Sequence, residues 1–179
     1  KQDAERFLAV LPKRFGKYGL SLHPDKTRMV PFRRPDRVDD GDDPPGTFNF
    51  LGFTHYWGLS RKPTPKGMPP TEKWYVMQKT AKDRLSRSLR RFGEWCRWHR
   101  HDPLEAQHLM LVKKLKGHYG YYGITGNFSA LAKVFNAVKR LWQKALARRS
   151  QQRVPWAKMA RILERFPLPV PRIVHRYGT

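Results

Sequence analysis

The sequence predicts an α+β fold: a helix and short antiparallel strands over residues 1–78, then a bundle of three helices over residues 79–179. Three observations predict it. Between Phe48 and Gln78, apolar and aromatic residues fall in short runs separated by Gly, Pro and Lys, the pattern of brief strands. From Lys79 onward the apolar period becomes that of a helix, and the breaks between periodic stretches are short, which favours antiparallel neighbours. The chain of 179 residues is 39% apolar and 13% aromatic, ample for a packed core.

Taken in order, Ala4, Phe7, Leu8, Leu11 and Phe15 lie at helical spacing, so residues 1–18 read as an amphipathic helix stopped by Gly19. Pro12 is expected to kink that helix or start it afresh. Residues 27–32 read as a strand, and residues 33–46, with Pro35, Pro44, Pro45 and the run Asp39-Asp40-Gly41-Asp42-Asp43, as a loop. Short strands are expected over 48–53, 54–59 and 74–78, with a Lys/Pro/Gly-rich loop over 61–70.

The first bundle helix sets Leu85, Leu89, Phe92 and Cys96 on one face and Arg87, Arg90, Arg91 and Arg97 on the other. Asp102-Pro103 with Glu105 has the form of a helix start, an acidic cap with a glutamate reaching back. Leu104, His108, Leu111, Leu115 and Tyr119 form the stripe that follows. Gly117, Gly120, Gly123 and Gly126 are expected to break this second helix across a Tyr-rich turn. Asn127 or Ser129 then caps a third helix. Its apolar face is Leu131, Val134, Phe135, Val138, Leu141, Trp142 and Ala145, with Lys133, Arg140 and Lys144 projecting the other way. A short helix over 155–166 leads into an extended Pro-rich tail.

Charge is the strongest compositional signal. The chain carries 37 basic and 14 acidic residues, net +23. Residues 1–50 hold 10 basic and 8 acidic groups, whereas residues 51–179 hold 27 and 6. So basic a surface repels itself unless it meets a polyanion, and counterion release from phosphates is the usual compensation. The larger, later part therefore reads as nucleic-acid-binding. A single cysteine, Cys96, excludes an intramolecular disulfide and fits a reducing compartment. The apolar runs are short and interrupted by basic residues, so neither a signal peptide nor a membrane span is predicted, and a cytoplasmic setting is expected.

Several constellations bear on chemistry. The acid run at 39–43 lies among Gly and Pro, unlike the rigid carboxylate pairs that hold catalytic metals. An EF-hand alignment on Asp36, Asp40 and Gly41 puts Val38 at a ligand position and Thr47 where glutamate is needed. Cys96, His99, His101 and His108 lack the second pair that a zinc site requires. No metal site is predicted. Phe50-Leu51-Gly52-Phe53 sets a glycine between aromatic-flanked strands, which permits a close backbone approach. In Gly117-His118-Tyr119-Gly120-Tyr121-Tyr122-Gly123, Tyr121 or Tyr122 could stack on bases or pack between helices.

Gly19 to Thr27, reading GLSLHPDKT, followed by FNFLGF at 48–53, resembles the last palm motif and the primer-grip hairpin of group II intron reverse transcriptases. The Gly-His-Tyr and Tyr-Tyr-Gly steps at 117–123, Arg148-Arg149-Ser150 and the Pro-Arg-Ile-Val-His of 171–175 resemble the maturase, or X, domain of the same family, which corresponds to the thumb. The resemblance covers nearly the whole chain. It implies the C-terminal end of a reverse-transcriptase palm (1–78) followed by a helical thumb (79–179), with fingers and palm as the missing N-terminal partner. It also implies RNA-directed DNA synthesis and intron splicing by the full protein, with Mg2+ as that protein's cofactor and none bound by this part. Catalytic aspartates are expected ahead of Lys1, so this part alone is expected to be inactive. Lys26 would lie beside the incoming nucleotide's phosphates, where a cation stabilises the departing pyrophosphate. Residues 50–53 would form the primer grip. RNA, as intron RNA or an RNA/DNA duplex, would meet Arg87, Arg90, Arg91, Arg97, Tyr121, Tyr122, Lys133, Arg140, Lys144, Arg148 and Arg149. The alternative is a stand-alone basic RNA-binding module without enzyme activity, which accounts for charge and aromatics but not for the motif order.

Overall fold

A computed structural model of the chain describes residues 2–35, 46–62 and 71–176. It is a mixed α+β protein with five helices and one three-stranded antiparallel sheet among these residues. The chain divides into two compact units, Lys1–Thr47 and Phe48–Thr179.

In the first unit, α1 (Gln2–Gly16) has Asp3 and Glu5 in its first turn and Lys13 and Arg14 in its last, matching the helix dipole at both ends. Pro12 lies within one continuous helix and does not start a new one. None of its residues is buried, and Phe7 and Val10 are exposed. Gly19 takes a left-handed φ of +68° just beyond the helix. A short 3-10 turn, Pro24–Lys26, is closed by the Thr27 hydroxyl, which donates to the His23 carbonyl at 2.9 Å. Residues 27–32, expected as a strand, are irregular. The Thr27 N–H is spent on the turn, Pro31 has no N–H, and no described strand pairs with the segment. The acid run at 39–43 lies outside the described residues.

The second unit opens with a meander of β1 (Phe48–Phe50), β2 (Phe53–Lys62) and β3 (Thr71–Thr80). Phe50 pairs with Phe53, leaving Leu51 and Gly52 as a two-residue hairpin loop, so the strand expected over 48–53 is cut at this turn and Phe53 opens the next strand. Both have positive φ, +48° and +82°, the requirement of the turn that matches strand twist. Gly52 meets it freely, while Leu51 is held there at a cost of about 1 kcal/mol. β2 and β3 pair from Phe53↔Thr80 to Lys62↔Thr71, so the ladder runs further than the sequence indicates.

The helices are α2 (Lys82–Trp98), α3 (Leu104–Tyr122), α4 (Phe128–Ser150) and α5 (Trp156–Arg165). Their apolar stripes meet in one core: Phe92 and Cys96 from α2, Leu111, Leu115 and Tyr119 from α3, Leu131, Val134, Val138 and Trp142 from α4, and Met159 from α5. Gly93 lets α2 and α4 approach closely, since a Cβ there would stand 3.3 Å from Leu141 Cδ2. Within this core Gln107 is buried but satisfied. It accepts from the Trp142 indole N–H at 2.8 Å and donates to the Asp102 and Arg100 carbonyls at 2.8 and 3.3 Å.

Three local expectations are corrected. Gly117 and Gly120 do not break α3, which continues through them to Tyr122. Stripe packing at Leu115 and Tyr119 outweighs the modest cost of a helical glycine. Asp102 does not cap α3; Pro103 occupies that position without a side-chain cap, and the Asp102 carboxylate instead meets His99 Nδ1 at 2.8 Å. Asn127 precedes α4, but its side chain does not cap that helix and bonds elsewhere.

The segment after α5 is extended, as expected, and is also built into the fold. Leu168 is buried, and the Pro167 and Pro169 carbonyls meet His108 Nε2 at 2.9 Å and the Tyr119 hydroxyl at 3.1 Å. Val174 and His175 N–H groups then both donate to the Gly123 carbonyl, at 2.7 and 2.8 Å, as the tail runs parallel to residues 123–125.

Candidate nucleic-acid interface

Two of the regions singled out in the sequence meet although about seventy residues separate them. The Tyr121 hydroxyl donates to the Leu51 carbonyl at 2.7 Å, and its ring stacks on Phe53 with centroids 5.9 Å apart. Tyr122 meets Phe53 edge-on at 5.4 Å, and its hydroxyl stands 3.3 Å from where a Cβ on Gly52 would be. Burial pushes the Tyr122 phenol up, with Tyr121 adding to the effect. The hairpin loop is therefore clamped from one side by the last turn of α3. From the other side, the Ala81 N–H donates to the Gly52 carbonyl at 3.0 Å. Leu51 keeps its side chain exposed, at 67%, as does its neighbour Phe50. Tyr121 and Tyr122 thus hold the hairpin, and Tyr121 still offers about half of its surface to solvent.

Asn127 completes the clamp. Its Oδ1 accepts from the Thr80 N–H at 2.9 Å, and its Nδ2 donates to Thr80 Oγ1 and to the Tyr122 carbonyl, both at 2.8 Å. One buried amide so joins the end of β3, the end of α3 and the start of α4. The sequence offered only its position at a helix start as a signal.

The second part of the site is a groove between α2 and α4. Its floor is Leu89, Gly93, Cys96, Leu141 and Ala145, and its rim carries Arg90, Arg97, Arg100, Lys144 and Arg148. The cleft has a volume of about 370 Å³. Glu94 is its one lining carboxylate and stands 4.0 Å from Arg90 Nε. Among the described residues no ion pair involves Arg97, Lys144 or Arg148. Arg100 is braced, with Nε donating to His101 Nε2 at 3.0 Å and Nη1 to the Arg97 carbonyl at 3.4 Å. Positive charge therefore concentrates over an apolar floor with little internal compensation.

Four of the sequence-selected cations, Arg90, Arg97, Lys144 and Arg148, line this groove. Lys133 and Arg140 share the exposed α4 stripe with Lys144 and Arg148, at steps of seven and four residues, without lining it. Arg87 and Arg91 are exposed on α2 outside the groove, and Arg87 lies 3.9 Å from Asp83. Arg149 parts from Arg148: it donates to the Asp102 carbonyl at 2.8 Å and lines a different cleft with Leu104 and Lys158. Lys26 belongs to the first unit, exposed at the end of the 3-10 turn. Arg100 was missed, because its place in the loop after α2 gave no helical face to read.

Two titratable groups near the core are shifted by burial. Burial pushes the Cys96 thiol up to about 12, against an opposing effect of Lys114, so it is no thiolate nucleophile at neutral pH. His118 lies among Phe92, Tyr119 and Tyr122, and burial holds its imidazole down to about 4. Among the described residues no group of three or more His, Cys, Asp or Glu could hold a metal ion. No described helix is long and apolar enough to cross a membrane. Compared with protein-family models, curated proteins and solved structures, the chain has no match.

Proposed function

We propose that this chain is the C-terminal part of a group II intron reverse transcriptase/maturase, the end of the palm followed by the thumb, and that it grips intron RNA or a template–primer duplex. The observation that carries this is the convergence of Arg90, Arg97, Lys144 and Arg148 on one groove. Cations on helical faces contact phosphates and follow the shape of an A-form helix more than they read bases. The clamped hairpin supports the same function. A loop meant to press on the end of a primer must not move, and Leu51 and Gly52 are held from both sides. In this scheme Tyr121 and Tyr122 position the grip, and Lys26 contacts the phosphates of the incoming nucleotide within the full protein.

The test is binding of the purified chain to structured intron RNA and to random RNA of equal length at matched salt. A maturase-type grip favours the structured RNA. Equal affinity for both would turn the assignment towards a general RNA-binding module.

A further inference from the structure

We infer that the groove between α2 and α4 seats one unpaired nucleotide of the bound RNA, its base on the floor and its phosphate on the rim, an inference that rests on the RNA grip proposed above. A groove serving phosphates alone needs cations, and the rim supplies them. Two further features are not accounted for by phosphates. The floor of Leu89, Gly93, Leu141 and Ala145 is apolar, and contact with it is favourable only for a guest with an apolar face. Glu94 stands among the rim cations, where a carboxylate repels phosphate but accepts from the amino group of a base edge.

Size agrees. A volume of about 370 Å³ lies at the small end of clefts that take compact organic ligands. Unpaired bases in bulges and loops can be splayed out of an RNA helix and stacked on planar groups, guanidinium included. Arg100 offers such a plane, already braced by His101 and the Arg97 carbonyl. Gly93 keeps the floor low, because a Cβ there would crowd Leu141. The preferred ligand is therefore an RNA helix carrying an extruded nucleotide.

The test uses three RNA hairpins of one sequence: fully paired, with a single bulged adenosine, and with the same bulge made abasic. The chain should bind the bulged hairpin about tenfold more tightly than the paired one, and the abasic bulge should lose that gain. In Arg97→Gln/Lys144→Gln the bulge preference should shrink; an undiminished preference would place the nucleotide elsewhere and overturn the inference. Equal affinity for paired and bulged hairpins, with salt-dependent binding intact, would overturn it while leaving the RNA grip standing. Absence of salt-dependent binding to all three would overturn both.

Discussion

Asn127→Ala removes one buried amide that joins three elements. Three hydrogen bonds disappear, to the Thr80 N–H, to Thr80 Oγ1 and to the Tyr122 carbonyl. Each contributes about 1 kcal/mol net, and a buried donor left without a partner costs more than a bond whose two ends are both removed. Thr80 is itself buried, so its N–H has no ready route to water. The expected loss is about 3 kcal/mol, or roughly 6–12 °C in Tm for a chain of this size. Urea unfolding of the whole chain, followed by tryptophan fluorescence, measures it. Thr80→Val alone and combined with Asn127→Ala closes a double-mutant cycle whose coupling should reach about 1 kcal/mol. A loss below about 1 kcal/mol for Asn127→Ala, or a cycle without coupling, would refute the claim that this amide fastens the sheet to the helices.

Other consequences follow from the same contacts. Tyr121→Phe removes the bond to Leu51 while keeping the ring on Phe53, so stability should fall by about 1 kcal/mol and amide exchange at Ala81 should quicken; unchanged exchange would mean ring stacking alone holds the hairpin. Gly123→Ala would drive a Cβ into the Tyr119 carbonyl and to 3.0 Å from the Arg172 carbonyl, so the tail should become protease-sensitive at 171–175; an intact tail would contradict its tight docking. His118 has a folded pKa of about 4 against an ordinary 6.5, so the unfolded chain takes up the proton first as pH falls. Stability present above pH 6.5 should be lost progressively between pH 6.5 and 4, by up to about 3 kcal/mol, and His118→Phe should flatten that limb. A wild-type stability curve that is level over this window would show His118 to be solvated.

The helical half of the fold is legible in the sequence because its stripes are long. Leu131, Val134, Val138 and Trp142 mark a buried face directly, and the same spacing that fills the core sends Lys144 and Arg148 outward. The hairpin is legible at Phe50-Leu51-Gly52-Phe53 because its loop needs positive φ and glycine supplies one of the two. Residues 27–32 misled because Thr27, Val30 and Phe32 favour a strand only where a partner strand exists. Gly117 and Gly120 misled for the opposite reason, since packing on both sides carried the helix through them. What stayed hidden was long-range: that Tyr121 reaches Leu51, that Asn127 reaches Thr80, that Gln107 reaches Trp142, and that neighbouring Arg148 and Arg149 serve different clefts. One hundred degrees of helical rotation separates adjacent residues, so a basic pair in sequence need not be a pair in space.

The salt dependence of RNA affinity, compared between the wild-type chain and Arg90→Gln/Arg97→Gln/Lys144→Gln/Arg148→Gln, tests the proposed RNA grip of the groove between α2 and α4 most directly. Each phosphate contact contributes about 0.7–0.9 to the slope of log affinity against log salt, so the four-site variant should flatten that slope by about 3. An unchanged slope in a variant that still unfolds cooperatively would mean that RNA, if bound, is held somewhere other than between α2 and α4.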